Sequence, residues 1–360
     1  MNSAKTETKL ETGAELVSAL PEELGKLVES LGQPRYRGGQ LFSWIQERGI
    51  CDPDEMSDLP LGLRSHLADF GLAWPARAGS VLRSTDGTRK LEVLLEDGCA
   101  VETVLIPEED KLTQCVSCQV GCAVGCAFCR SGHAGLRRNL TAAEIISQVQ
   151  LARREHLQGE RLRNIVFMGV GEPLHNLKAL LRVLMLLNHP DGLNLSTRRV
   201  TVSTVGVVRG IDRLAQETEG QVALAVSLHA ADDETRDRLV PRVSDTLQDI
   251  VAALKRYPLP KRRRFTIEYV LVKGINDSDQ DAKRLVKLLS PLRVKVNLLP
   301  LNPHDRTDLK PPDQERVLAF QDILARKGLT ALLRRRRGAD IGAACGQLLG
   351  MGKTTDKNPV

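Results

Sequence analysis

The sequence predicts an α/β fold, with about six βα units forming a partial (βα)6 barrel or a doubly wound sheet, preceded by a helical module and a β-hairpin. Three observations carry this expectation. From about residue 113 onward, short apolar runs alternate with helical segments, roughly one strand every 20 to 45 residues. The runs are apolar at consecutive positions, as in strands covered on both faces of a parallel sheet. The first third of the chain lacks that rhythm. It shows helical periodicity and then one hairpin signal.

In order along the chain, residues 1–12 and 352–360 read as loose ends. Residues 14–72 are helical in pattern (ELVSAL, LGKLVESL, GQLFSWIQERGI), with breaks at Pro34 and around Cys51-Asp52-Pro53. LEVLLEDG and CAVETVLI form a hairpin turning at Glu96-Asp97-Gly98. The six expected strands are TQCVSC, NIVFMG, RVTVST, VALAVSL, FTIEYVLV and VKVNLLP. Thr141 and Glu144 make a capping box that opens one intervening helix. The expected division is a helical accessory module at 1–75, a β-hairpin extension at 76–110, the barrel with a C-terminal loop at 111–350, and a disordered tail at 351–360.

Composition narrows the function. The chain has 360 residues, 42% of them hydrophobic, enough for a large core. No apolar run reaches membrane-spanning length, and the opening residues are polar, unlike a signal peptide, so a cytoplasmic protein is expected. The 51 basic and 45 acidic residues leave a charge of +6. The excess is clumped at Arg137-Arg138, Lys261–Arg264 and Arg334–Arg337, which suits a phosphate backbone or a solvated surface. Aromatics are 3%, too few for a face of stacked rings.

Five of the eight cysteines fall between Cys115 and Cys129. Cys122, Cys126 and Cys129 make a C-x3-C-x2-C run, which can hold three irons of a [4Fe–4S] cluster and leave the fourth open for a reactive ligand. Cys115-x2-Cys118 and Cys126-x2-Cys129 also leave structural zinc open, although zinc pairs are usually separated by a longer loop. In either α/β architecture the site lies at the C-terminal ends of the strands. There the sequence places the cysteine run, Gly171-Glu172-Pro173, Ser203 and Thr204, Ser227 and His229, and Asn302. Glu102 is the only charge in CAVETVLI, and such a carboxylate is costly unless it is paired, functional or facing solvent at an edge.

The C-x3-C-x2-C run with Phe128 before its last cysteine is similar to the radical S-adenosylmethionine (SAM) superfamily. The motifs CVSCQVGCAVGCAFC, RRNLTAAEI, MGVGEPLHN, VTVSTVG, SLHA, TIEYVLVKGIND, VNLLPLNP and RGADIGAACGQL, in that order, resemble the RlmN/Cfr family of radical SAM RNA methyltransferases over about residues 15–350. The resemblance implies the radical SAM partial (βα)6 barrel and methylation of C2 of an adenosine in 23S rRNA, and of the adenosine beside the anticodon in tRNA. Two SAM molecules are used per turnover. Cys345 carries the methyl group as S-methylcysteine, Cys115 resolves the covalent intermediate through a transient disulfide, and Glu102 accepts the proton. Cys122, Cys126 and Cys129 hold the cluster, while Gly171, Glu172, Ser203, Ser227, Leu228, His229 and Asn302 contact SAM. A flavodoxin-type electron donor and a monomeric state go with it.

The chain departs from the family pattern at Arg242-Val243-Ser244, where an Asn-Lys pair is usual, at Leu301 in place of Trp, at Val205 in place of Ser, and at Cys118, also usually Ser. These positions leave substrate choice open. The alternatives are Cfr-like methylation at C8, a paralogue with another RNA substrate, or a zinc-dependent RNA-binding protein.

Overall fold

A computed structural model of the chain describes residues 10–349 apart from 110 and 158. The expected tail at 351–360, and residues 1–9 of the expected N-terminal loose end, lie outside the described residues. The helical module consists of Gly13–Leu16, Pro21–Ser30, Arg37–Phe42, running on through a wide turn at Ser43–Glu47, and Leu61–Asp69. The chain breaks at Pro34 and at Pro53, as the missing N–H and fixed φ of proline require. Leu16, Leu24, Leu41, Phe42 and Leu63 are buried in the same continuous core as the barrel helices. Polar ties add to this: Arg182 pairs with both oxygens of Glu23 at 2.7 and 2.8 Å, and Gln150 donates to the carbonyl of Gln46 at 2.9 Å.

The strands are β1 (Ala76–Arg83), β2 (Arg89–Leu95), β3 (Ala100–Glu108), β4 (Lys111–Cys115), β5 (Gln119–Gly121), β6 (Leu136–Asn139), β7 (Leu162–Phe167), β8 (Val200–Thr204), β9 (Ala223–Ser227), β10 (Phe265–Leu271), β11 (Val294–Pro300) and β12 (Ala331–Leu333). All but β5 and β6 form one sheet in the order β1-β2-β3-β4-β7-β8-β9-β10-β11-β12. From β4 to β12 every pairing is parallel, and the six expected strands are β4 and β7 to β11. The expected hairpin is β2–β3, turning at Gly98 with φ 79°. It does not stand apart, because β1 adds a third antiparallel strand and β3 pairs directly with β4. The short β12 adds a seventh parallel strand that the sequence did not announce.

The C-terminal segment ties the two sides of this sheet together. On one side Arg334 N–H donates to the carbonyl of Leu298, and Arg336 to that of Leu301, both at 3.0 Å. On the other, Ser84 donates to Asp340 at 2.6 Å, Lys90 to the carbonyl of Gly342 at 3.2 Å, and the Leu349 N–H to Glu102 at 2.7 Å. Residues 334–349 therefore strap the ends of the last barrel strands to the antiparallel extension.

Candidate active site

The loop after β4 carries the cysteine run. Its path depends on Gly121, whose φ is 76° and where an added Cβ would lie 1.8 Å from the carbonyl oxygen of Gly135. β5 and β6 pair to pin both ends of the loop. Cys129 N–H donates to the Cys126 carbonyl at 3.0 Å, closing a tight turn between the last two thiols. Cys122, Cys126 and Cys129 are all free thiols. Burial raises each of them, Cys122 to about 12, and the charges of Cys122 and Cys129 raise Cys126 further. Three neighbouring sulfurs, on two buried cysteines and the half-buried Cys129, are a poor arrangement for free thiolates and a suitable one for thiolates neutralised by iron. Among the described residues no three Cys, His, Asp or Glu side chains are grouped to hold a single metal ion. Cluster ligands each bind a different iron and need not converge on one point.

Beside this loop lies a cavity that opens to solvent and is mostly apolar in its walls. It is walled by the three cysteines, the ends of the barrel strands, and Cys345-Gly346 of the strap. Gly171 sits at φ 107°, with an added Cβ only 2.6 Å from the Gln119 Cβ, so only glycine fits. Glu172 is 2% exposed, and its carboxylate accepts from Leu174 N–H at 3.0 Å and Val205 N–H at 2.8 Å. Burial pushes it up to about 7. Such a carboxylate is stabilised by an incoming cation, and the methionine amino group of SAM is one.

Ser203 and Ser227 face each other with their hydroxyls 3.4 Å apart. His229 adopts φ 61°, accepts from Val270 N–H at 3.0 Å through Nδ1, and meets Phe128 edge-on at 4.7 Å. Burial, with the Arg236 charge, lowers it to about 3, so the ring is neutral and Nε2 carries the proton. Asn302 donates to the Cys345 carbonyl at 3.0 Å, while its Oδ1 is buried without a protein partner. That unpaired acceptor, the buried Glu172 and the glycine cradle fit a polar ligand such as SAM. Leu228 is the exception among the expected contacts. Its side chain is in the core, and its main chain is already bonded to Glu268 and Arg236.

Glu102 and Cys115 lie behind the strap rather than in the cavity wall. Cys115 packs with Val104, Val170 and Ala343, so the strap brings Cys345 close enough that its charge raises the Cys115 thiol, which burial already raises strongly. Cys345 lines the open cavity and is accessible from it, while the protein around its sulfur, by displacing water, raises the thiol to about 11. Glu102 is held by Lys90 at 2.9 Å and by the Leu349 N–H. It is on an inner strand, paired on both sides, so the edge-of-sheet explanation for this charge does not apply. Cys118 is buried in the main core and its thiol lies 3.6 Å from the Val170 carbonyl as a weak donor.

Two residues of the site were not anticipated. Glu268 lines the cavity, accepts from Asn297 at 2.8 Å and is raised by burial. Its signal was available, since it is the single charge in FTIEYVLV, the same pattern that marked Glu102. Arg236 is 2% exposed and donates to the carbonyls of Leu228, at 2.7 Å, and Val205. It locks the loops after β8 and β9, and Glu172 grips the same Val205 by its N–H.

A parallel barrel sheet with three free thiols and a SAM-compatible cavity at the C-terminal ends of its strands defines a radical SAM enzyme, with a [4Fe–4S] cluster and SAM as its cofactors. Residues 116–286 match the radical SAM superfamily, and residues 14–71 match the ribosomal RNA large subunit methyltransferase N-terminal domain. The chain is 50% identical to the dual-specificity RNA methyltransferase RlmN of Sorangium cellulosum, over 93% of this chain and 95% of that one. It is 47% identical to that of Geobacter sulfurreducens, over 91% and 90%. The crystal structure of a radical SAM methyltransferase from Sphaerobacter thermophilus matches at TM-score 0.88 and 45% identity, covering 92% of this chain and 98% of that one. The chain belongs to the RlmN family of radical SAM methyltransferases.

Proposed function

We propose that this enzyme methylates C2 of an adenosine in 23S rRNA, and of the adenosine beside the anticodon in tRNA, through a methyl group carried on Cys345. The observation that carries the reading is the pairing of two thiols outside the cluster set. Cys345 faces the cavity, and Cys115 lies just behind the same strap, near Glu102. Cys122, Cys126 and Cys129 would hold the cluster, and Glu172, Ser203, Ser227, His229 and Asn302 would hold SAM. When bound, SAM would supply the methyl group, and SAM at the cluster the radical that activates that methyl group for addition to an electron-poor ring carbon.

The chain's own residues do the rest. Cys345 exchanges its thiol proton for the methyl group. Once the activated methylene has bonded to C2, the adduct gives up one electron, for which the bound cluster would be the acceptor, and Glu102 takes the C2 proton, with Lys90 holding its carboxylate in place. The Cys115 thiolate then attacks the Cys345 sulfur. The carbon–sulfur bond breaks with its electron pair going to the methylene carbon, which takes up a proton to become the methyl group of the departing product, and a Cys115–Cys345 disulfide remains for an external reductant to reopen. The base must leave its stack to reach this enclosed site. The reading includes a monomeric cytoplasmic enzyme, a flavodoxin-type electron donor, and RNA contact by the 1–75 module, the 76–110 extension presenting Glu102 to the 111–350 barrel. The test is nucleoside mass spectrometry of 23S rRNA and tRNA after incubation with the anaerobically reconstituted enzyme. 2-Methyladenosine is expected in both, and 8-methyladenosine or no product would overturn the reading.

A further inference from the structure

Six cations gather at the end of the barrel opposite the active site. Arg264, Arg293 and Thr330 immediately precede the parallel strands β10, β11 and β12, so they lie at the strands' N-terminal ends, whereas the cavity lies at the C-terminal ends. Lys261, Arg262, Arg263, Arg264, Arg293 and Lys327 line one groove there, and no carboxylate lines it. Among the described residues none of the six is in an ion pair. Elsewhere on the surface Arg138, Arg182, Arg256 and Arg316 each hold a carboxylate.

The six divide by role. Arg263 donates to the Gln221 carbonyl, Arg264 to the Thr330 hydroxyl at 2.9 Å, and Arg293 to the carbonyls of Leu259 at 2.8 Å and Pro260 at 3.2 Å. These bonds fix the groove's shape without neutralising its charge. The loop carrying the run is stiffened by Pro258 and Pro260 and closed by Arg263 N–H donating to the Pro260 carbonyl at 2.8 Å. Lys261, Arg262 and Lys327 are exposed and, among the described residues, their side chains donate to no protein acceptor. The helices Asp279–Leu289 and Gln314–Arg326 end at this groove, and their negative termini favour cations nearby. That effect is confined to the last turn and does not call for six charges in one concave surface.

The geometry points to a second RNA-binding surface, in which this groove grips the phosphodiester backbone of the substrate RNA far from the adenosine being modified. The inference rests on the reading that the substrate is a folded RNA. β10 has seven residues, which puts the groove about 20 Å from the cavity mouth. A short stem-loop seated in the active site would miss it, and a large folded RNA would reach it.

The test is fluorescence anisotropy with the full-length holoenzyme and its Lys261→Gln/Arg262→Gln/Lys327→Gln variant. The probes are an intact tRNA and an anticodon stem-loop carrying the same adenosine. All three positions are exposed, so the fold should persist, and SAM cleavage with a chemical reductant should match the parent. The variant should bind intact tRNA on the order of tenfold more weakly at about 0.1 M salt, with a log–log salt slope shallower by about 2, and should bind the stem-loop unchanged. Unchanged tRNA affinity and slope would overturn the proposal, as would equal weakening of both probes. Unchanged RNA binding with slower electron uptake from reduced flavodoxin would assign the groove to an acidic protein and overturn it too. Binding is read without turnover, so failure of the methyltransfer reading would show separately, as no methylated nucleoside in any RNA.

Discussion

The side-chain amide of Asn302 donates to the main-chain carbonyl of Cys345 at 3.0 Å, joining the cofactor cavity to the methyl carrier through one residue. Its other polar atom, Oδ1, is buried without a protein partner in the same cavity. Asn302 thus has one group for the strap and one for a ligand. Asn302→Ala should lower RNA methylation at least tenfold, the cost of about one hydrogen bond at each end, while iron content stays at the parent value. Loss of iron in the variant would show that Asn302 supports the cysteine loop instead.

Gly171 should tolerate no side chain. Alanine there combines φ 107° with a Cβ 2.6 Å from the Gln119 Cβ. Gln119 cannot easily retreat, because its Oε1 accepts from Glu172 N–H at 2.8 Å and its Nε2 donates to Asn139 at 2.7 Å. Gly171→Ala should destabilise the fold by ~2–4 kcal/mol and abolish measurable SAM binding. Thermal unfolding and calorimetric titration check the two effects, and a variant with parental values in both would contradict the assignment.

What was legible in the sequence follows physical signal strength. Strands β4 and β7 to β11 could be read because burial on both faces demands uninterrupted apolar runs. β1 could not, because ARAGSVLR lies at the sheet's end and exposes half its residues, leaving no alternation to detect. β12 is three residues ahead of an arginine run. Glu172 and the cysteine run stood out as polar residues following apolar strands, whereas Glu268 carried, unread, the signal that marked Glu102, a single charge inside an apolar strand. Arg236 had none, since DETRDRL looks like a solvated helix, and only the fold brings the Val205 and Leu228 carbonyls to it. The strap is Gly- and Ala-rich without periodicity, and its partners Ser84 and Glu102 lie more than 240 residues earlier in the chain.

Glu172 gives the enzyme a specific pH response. Burial raises it from 4.5 to about 7, so between those values the folded chain holds a proton that the unfolded chain has released. The stability of the ligand-free protein should therefore fall as pH rises from about 4.5 to about 7, and level off above that. SAM binding should run the opposite way. The ionised carboxylate is the form that attracts the methionine amine, so affinity should rise about tenfold per pH unit up to about 7. Glu172→Gln should flatten both profiles, and a SAM affinity that stays pH-dependent in that variant would assign the dependence to another group.

The thiol carried on the strap and the thiol behind it should fail in different ways. Without Cys345 no methyl carrier exists, so Cys345→Ala should form neither S-methylcysteine nor methylated RNA while retaining its iron. Without Cys115 the carrier loads and adds to the base, but no thiolate remains to displace the Cys345 sulfur. Cys115→Ala should therefore accumulate a covalent protein–RNA species, seen as a shifted band on a denaturing gel and located at Cys345 by mass spectrometry. Cys118→Ser is the informative control, because that side chain lies in the core beside the Val170 carbonyl, where a hydroxyl can replace the thiol as donor. It should turn over like the parent with no trapped RNA. Trapping in Cys118→Ser, or none in Cys115→Ala, would move the resolving role from Cys115 to the neighbouring thiol.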